Sequence, residues 1–307
     1  MKKISYILPL AFTLLFISCE REIEVELPPV EEKLVIEGFI EQGVPPLVFL
    51  TRSMGYFEPT DINTLQNIIV RDATVSISTN GTAIELELYC ISQLPPTLLP
   101  MISELSGLPV AQLISFNYCF YTTLNPDYFG KIGSSYALEV NHKNEEYTSF
   151  TTIPQPVPVD SLWFIKREQA KPEGLVWLKF TDPANRYNAY RVYSKRLGKD
   201  GNFTPVSGSV FEDKFFDGKP VEFYFYPGRR GQEEFSNLLV VEGDTVVIKF
   251  CSIDEGVFRF LRDFETSIVS NGNPFAAPST ISSNIKGGAL GYWGGYGVTY
   301  DTLVAKK

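Results

Sequence analysis

Short runs of alternating apolar and polar residues fill most of the chain and predict β-strands. Two of them, LVIEGFI (residues 34–40) and PLVFLTRS (46–53), are separated by a turn that contains glycine. Two more, ATVSIS and AIELEL, flank Asn80–Gly81, where both residues tolerate positive φ, so this stretch predicts a β-hairpin. The runs YALEV and YTSFTT flank a second polar turn, which carries His142. The first half of the chain is therefore predicted to be a succession of strands.

A proline-rich segment interrupts this pattern near the middle of the chain. PQPVP (residues 154–158) is unsuited to a sheet interior, because proline cannot donate to the hydrogen-bond ladder. Alternation resumes beyond it, at residues 176–180 and 246–250. We therefore predict a mostly β fold with two β-sandwich domains in tandem, of the immunoglobulin or fibronectin type. The predicted segments are an N-terminal domain at 33–153, a linker at 154–159 and a C-terminal domain at 160–307.

Two helices are predicted within these domains. The clearer one lies near residues 253–270, where Ser252 and Glu255 have the spacing of a capping box. Its apolar stripe and its terminating residues are Val257, Leu261, Phe264, Ile268, Gly272 and Pro274. A second, short helix is predicted at 95–113, inside an insertion at 91–118 into the first domain.

The N-terminus has the layout of a secretory signal. Lys2 and Lys3 precede a mostly apolar run of about fourteen residues, which is shorter than the roughly 20 residues of a membrane span. The sequence Phe-Ile-Ser-Cys at residues 16–19 resembles the lipobox of bacterial lipoproteins, although Phe16 replaces the usual leucine. We therefore predict that residues 1–18 are removed and that Cys19 is lipidated. The alternative is a plain secreted protein with a cysteine there by chance.

Residues 19–32 follow as an acidic tether. Six glutamates and two adjacent prolines keep such a stretch extended and solvated. Acidic residues just behind a lipidated cysteine resemble the export signal of Bacteroidota lipoproteins to the outer face of the outer membrane. We expect a lipid-anchored, surface-exposed outer-membrane protein. The other interpretation is a solvated tether that carries no export signal.

Composition narrows the classes of function. With 44% hydrophobic residues the chain can bury a sizeable core, and a net charge of −9 disfavours nucleic acid as a partner. His142 is the single histidine, which excludes histidine-rich zinc sites, and no phosphate-binding loop, dinucleotide fingerprint or nucleophile-elbow motif occurs. We predict a non-enzyme with no metal, no cofactor and no catalytic residue. A glycosidase-like carboxylate pair stays open, since 36 acidic residues give the sequence no means of choosing one.

The cysteines and a glycine-rich segment are the remaining chemical features. Cys90 and Cys119 flank the insertion and are a candidate disulfide, while Cys251 is expected to be a buried thiol. Residues 283–297 (SNIKGGALGYWGGYG) interleave six glycines with three aromatic residues. These aromatic residues either cover a core or form a binding surface, and they are Tyr292, Trp293 and Tyr296.

Four segments carry a resemblance to a known family. They are LVIEGFIEQGVPPLVFLTRS, FTDPANRYNAYRVY, EGDTVVIKFCSID and NPF followed by SNIKGGALGYWGGYG. Together they resemble an uncharacterised lipoprotein family of Bacteroidota, a domain of unknown function whose genes commonly neighbour TonB-dependent outer-membrane receptors. The resemblance spans nearly all of the mature chain but not residues 90–119. It implies no catalytic residues.

The expected function is non-catalytic binding. We predict an accessory subunit of a TonB-dependent uptake system, anchored to the outer membrane by lipid and partnered with a β-barrel receptor. An adhesin-like or structural surface sandwich without a transporter is the first alternative, and a carboxylate-based hydrolase is the second. The sequence does not identify the ligand.

Overall fold

The computed structural model describes residues 31–55, 58, 61–168, 170–226, 239–270 and 280–306. The predicted signal peptide, Cys19, most of the tether and the predicted helix terminators Gly272 and Pro274 lie outside the described residues. Contacts divide the chain between Glu31 and Glu32, and the fold below is that of the second unit, Glu32–Lys307.

The described residues are mostly β, as predicted. The strands are β1 (Leu34–Glu41), β2 (Leu47–Arg52), β3 (Thr74–Thr79), β4 (Thr82–Glu85), β5 (Glu87–Cys90), β6 (Cys119–Thr122), β7 (Ser135–His142), β8 (Glu145–Thr152), β9 (Ser161–Lys166), β10 (Glu173–Thr181), β11 (Ala189–Arg196), β12 (Thr204–Glu212), β13 (Pro220–Phe225), β14 (Val240–Val241), β15 (Thr245–Ile253) and β16 (Leu290–Val304). The α-helices are α1 (Ile62–Asn67), α2 (Leu99–Ser106), α3 (Val110–Phe116) and α4 (Glu255–Ser270).

The strands form three sheets. The largest has eight strands in the order β12-β11-β15-β16-β1-β2-β6-β5. One four-stranded sheet has the order β4-β3-β7-β8, and in the other β10 pairs with β9, β13 and β14. Both smaller sheets pack on the same face of the eight-stranded sheet, because their apolar side chains form core clusters with alternate residues of β1, β2, β11 and β15. The sandwich-like arrangement predicted from sequence is confirmed at this level.

The centre of the large sheet joins the two predicted domains. β16 pairs in parallel with β1, where Gly38 is opposite Trp293, and antiparallel with β15, where Cys251 is opposite Val298. The proline segment lies against this sheet, since the Val157 N–H donates to Ser252 Oγ over 3.2 Å. The predicted boundary at residues 154–159 therefore separates two groups of core residues and the two four-stranded sheets, but the eight-stranded sheet contains strands from both sides of it.

Glycines in β1 and β16 permit close packing at this centre. A Cβ on Gly38 would lie 2.6 Å from the indole of Trp293, so the glycine leaves room for that ring. A Cβ on Gly295 would lie 2.6 Å from the carbonyl oxygen of Thr152, and one on Gly297 would lie 2.1 Å from that of Pro154. The glycine-rich motif thus lets residues 152–154 cross directly over β16.

The turns follow the sequence prediction. Asn80 and Gly81 have φ of 51° and 79° and join β3 to β4, which confirms the predicted hairpin. In the second hairpin the turn residues are Lys143 and Asn144, both with positive φ. His142 ends β7 as a buried residue, with its Nε2 3.3 Å from Asp72 Oδ1.

The helix α4 is confirmed, but its start was wrongly assigned. Its N-terminus is capped by Asp254, whose Oδ1 accepts the Val257 N–H over 2.9 Å. Ser252 belongs to β15 instead, where it is opposite Tyr190 and Gly297, and its hydroxyl accepts the Val157 N–H of the proline segment. The predicted stripe is also buried only in its first half, since Val257 and Leu261 are buried whereas Phe264 and Ile268 are exposed.

The insertion contains two α-helices where one was predicted. Gly107 ends α2 in the left-handed conformation, with φ of 72°, so the chain turns before α3 begins. Both helices cover the outer half of the large sheet through a core cluster that includes Leu99, Leu113 and Phe120. A disulfide joins Cys90 to Cys119 where β5 pairs with β6, and it closes the base of the insertion.

Candidate binding cleft

A cleft of about 980 Å³ lies on the helical side of the eight-stranded sheet. The insertion, from Pro100 to Val110, forms one wall. Residues 201–205, which are the turn before β12 and the first two residues of that strand, form another. The floor is the sheet itself. Six side chains from four neighbouring strands make up this floor: Glu41, Arg191, Tyr193, Lys249, Tyr292 and Tyr296.

Strand register places these side chains together. Tyr193 of β11 is opposite Lys249 of β15, and Glu41 of β1 is opposite Tyr296 of β16. Because successive side chains of a strand point to opposite faces, Arg191 and Tyr193 share the cleft face while Tyr190 and Val192 enter the core. The same alternation places Tyr292 and Tyr296 in the cleft and Trp293 on the other side.

Two ion pairs hold the cleft together. Lys249 Nζ lies 2.5 Å from Glu41 Oε2 in a nearly buried pair, and the Tyr300 hydroxyl donates to Glu41 Oε1 over 3.0 Å. Lys195 of β11 pairs over 2.8 Å with Glu104 of α2, so this bond ties the insertion to the sheet. The Lys249–Glu41 pair therefore stabilises the floor, and the Lys195–Glu104 pair connects the helical wall to the sheet.

Arg191 differs from these lysines because no carboxylate neutralises it within the described part of the chain. Its guanidinium stacks on the Tyr193 ring, 4.8 Å from the ring centroid. The phenol groups of Tyr292 and Tyr296 lie close to the guanidinium. Neither the Arg191 Nε nor the Tyr296 hydroxyl makes a hydrogen bond of good geometry with a described residue. Tyr296 is only 5% exposed, and desolvation raises its pKa well above the ordinary value, so its phenol is neutral. The cleft thus contains a cation and a hydroxyl group with unused donors.

Two further groups border the cleft without forming its floor. Cys251 follows Lys249 on the same face of β15 and is a fully buried free thiol, as expected from the sequence. Desolvation raises the pKa of this thiol to about 12. Glu37 lies on the same face of β1, opposite Tyr292. The residue is exposed as a whole, and desolvation of its carboxylate by neighbouring protein atoms raises its pKa.

The residues singled out from sequence are only partly brought together. Tyr292 and Tyr296 lie in the cleft, whereas Trp293 is fully buried in the opposite core and donates its Nε1–H to the Tyr136 carbonyl over 3.0 Å. Trp293 therefore belongs to a core, as the first of the two alternatives predicts, and the candidate binding surface is reduced to Tyr292 and Tyr296. The disulfide cysteines lie at the base of the insertion, outside the cleft.

Sequence reasoning missed Glu41, Arg191 and Lys249. The available signal was a charged residue between buried apolar neighbours, as Lys249 lies between Ile248 and Phe250. A charged residue in such a pattern usually faces solvent, because one face of an antiparallel sheet is commonly exposed. It belongs to a site only if another part of the chain covers that face, which the local sequence does not show.

A cluster of aspartates lies elsewhere, at Asp182, Asp213 and Asp217. Their carboxylates accept bonds from the chain itself: Asp182 from the Tyr190 hydroxyl over 2.5 Å, and Asp213 from the Asn188 N–H over 2.7 Å. These hydrogen bonds show that the aspartates stabilise the local loop structure.

Within the described residues, no single helix is long and apolar enough to cross a membrane. One bent pair of helices, Pro96–Ser106 with Val110–Phe116, meets the length and composition criteria only when the two are taken together.

The fold and the cleft define a β-sheet protein with a helical insertion beside a cleft that has a charged floor and apolar walls. The chain belongs to the family described as Domain of unknown function (DUF4249), whose model matches residues 20–302. A comparison with curated proteins found no match.

Proposed function

We propose that this chain is a surface-exposed outer-membrane lipoprotein that binds a ligand in the cleft and delivers it to a TonB-dependent β-barrel receptor. The observation that carries the proposal is the cleft, because its volume is that of a small-molecule site and its rim is held by an ion pair. Its floor has polar groups with free donors, which is typical of recognition. The lipobox-like sequence at residues 16–19 and the acidic tether support the location.

The rival functions make different demands on the molecule. An adhesin or a structural sandwich requires an exposed binding surface and no transporter. A hydrolase requires two carboxylates across the site, and the cleft has Glu41 and Glu104, each already paired with a lysine. Both acids are already engaged by lysines, which favours binding over acid–base chemistry.

Lipid anchoring is tested at Cys19. Changing Cys19→Ala removes the thiol that accepts the acyl chains, so we expect the protein to lose labelled lipid and to leave the outer-membrane fraction. Metabolic labelling with a fatty-acid analogue and membrane fractionation measure both effects, with Cys251→Ala as the control. If the Cys19→Ala protein still carries label and sediments with outer membranes, the anchoring proposal is wrong.

Partnership with a receptor is tested by affinity purification. The tagged full-length chain, extracted in mild detergent from cells that express it natively, is expected to retain a β-barrel receptor in stoichiometric amount. Intact-complex mass spectrometry identifies the partner, and a tagged unrelated outer-membrane lipoprotein serves as the control. If the tagged chain is purified without a receptor, the adhesin-like function is favoured. If the purified chain turns over surface glycans or peptides, the hydrolase is favoured.

A further inference from the structure

We propose that the ligand of the cleft is a small organic acid with one carboxylate and an apolar body, and that Arg191 receives the carboxylate. This inference rests on the proposed function, because it takes the cleft to be the binding site and names the class of its ligand. It is independent of whether a receptor is the partner.

The charge of the cleft favours a single negative group. Its charged lining residues are Glu41, Glu104, Arg191, Lys195 and Lys249. Lys249 is neutralised by Glu41, and Lys195 by Glu104, so among the lining residues the positive charge of Arg191 is the one left over. Glu37 borders the cleft without lining it, and desolvation raises its pKa, which disfavours its charged form. The whole chain is acidic, with a net charge of −9, and therefore a local surplus of positive charge is a specific property of the cleft. One carboxylate balances it, whereas a phosphate dianion overcompensates.

The unused donors have the right chemistry for a carboxylate. A guanidinium offers a planar fork of N–H groups that matches the two oxygens of a carboxylate. The Tyr296 hydroxyl, neutral and without a partner in the described chain, is a further donor in the same cavity. Both atoms are buried, and a buried polar group without a hydrogen-bond partner destabilises a fold. A bound carboxylate would satisfy them.

The walls of the cleft indicate the body of the ligand. Away from the charged floor they present apolar side chains from the sheet, the insertion and the turn at 201–205, namely Phe39, Leu105, Val110, Phe203 and Pro205. Phe203 also packs against Tyr300, with ring centroids 5.8 Å apart, so this wall is anchored to the sheet. Apolar walls around one charged anchor suit a ligand with an acidic head and an aliphatic or aromatic body.

The test uses 3-phenylpropionate as the acid probe, 3-phenylpropanamide as its neutral counterpart and phenyl phosphate as the phosphate arm. Isothermal titration calorimetry on the full-length protein in detergent measures each affinity, after subtraction of titrations into protein-free micelles. We expect saturable binding of the acid and about 10- to 100-fold weaker binding of the amide, because a charge-assisted bond is replaced by a neutral one. Phenyl phosphate is expected to bind more weakly than the acid.

Three variants locate the interaction. Arg191→Gln is expected to weaken acid binding by about 10- to 100-fold and to abolish the preference for acid over amide. Tyr296→Phe is expected to weaken it by about 2- to 10-fold, and it preserves the fold because the ring that packs in the core cluster stays in place. Arg259→Gln, on the exposed face of α4, is the matched control and leaves binding unchanged.

The inference is overturned by no saturable binding of the acid, by equal affinity for acid and amide, by tighter binding of phenyl phosphate, or by full acid affinity in a folded Arg191→Gln protein. These results differ from a failure of the proposed function. If the protein binds the acid through Arg191 but no receptor copurifies with it, the proposed ligand class stands and the proposed transporter partnership is wrong.

Discussion

Replacing Trp293 with alanine is expected to lower the free energy of unfolding by about 3 to 5 kcal/mol. The indole is fully buried between the eight-stranded sheet and the sheet formed by β3, β4, β7 and β8. Its removal leaves a large cavity, because Gly38 beside it has no side chain to fill the space. It also leaves the Tyr136 carbonyl without the indole donor. Urea denaturation of the full-length protein, followed by circular dichroism, measures the loss.

Trp177→Ala is the matched control for that experiment. Trp177 is half-buried on β10 and stacks on Trp163 at a centroid distance of 5.9 Å, so its truncation is expected to destabilise the protein less. If Trp293→Ala were no more destabilising than Trp177→Ala, the assignment of Trp293 to the core would be contradicted. An open aromatic platform would then be the better description of residues 292–296.

Changing Lys249→Met is expected to destabilise the protein by about 3 kcal/mol. The substitution leaves the Glu41 carboxylate nearly buried with the Tyr300 hydroxyl as its remaining bond, so an uncompensated charge stays in the floor of the cleft. The double variant Glu41→Gln with Lys249→Met removes both charges, and we expect it to recover most of the stability. A thermodynamic cycle from urea denaturation gives the coupling energy.

Lys179→Met provides the comparison for the buried pair. Lys179 pairs with Glu222 over 2.7 Å, but both side chains are well exposed, so the loss is expected to stay below about 1 kcal/mol. Equal effects at Lys249 and Lys179, or no recovery in the double variant, would show that the floor is as wet as the outer surface. The cleft would then be an open groove without a defined floor.

Local chemistry made much of the fold predictable. Asn80–Gly81 specified a hairpin because its two residues occupy positive φ without strain, and the apolar spacing after residue 253 specified a helix. The helix start was misjudged because two side chains, Ser252 and Asp254, compete as caps, and only tertiary structure shows that Ser252 is used by the proline segment.

The shared sheet was not predictable in the same way. The pairing of β1 with β16 joins residues more than 250 positions apart, and no turn chemistry encodes such a contact. Proline at residues 154–158 marks a real break in strand pattern, but a break in pattern does not specify a break in the sheet. The glycines of β16 are explained only once the chain at 152–154 is seen to cross them.

The site was half predictable for a related reason. The segment around Tyr292 and Tyr296 stood out by its composition, but alternation in a glycine-rich strand does not tell which face is core, so Trp293 was grouped with its neighbours. Arg191 and Lys249 looked like ordinary polar positions of half-exposed strands. They become a site because the insertion, whose placement the sequence does not encode locally, covers that face of the sheet.

The most direct test of the central claim is to fill the cleft. Ser106→Trp places an indole in the helical wall, whereas Ser115→Trp places the same side chain on the exposed face of α3 outside the cleft. Both full-length proteins and the wild type are purified from native outer membranes, and organic extracts are compared by mass spectrometry. We predict that one small acidic compound accompanies the wild type and the Ser115→Trp protein and is missing from the folded Ser106→Trp protein. Equal recovery from all three proteins, or no compound from the wild type, would contradict the account.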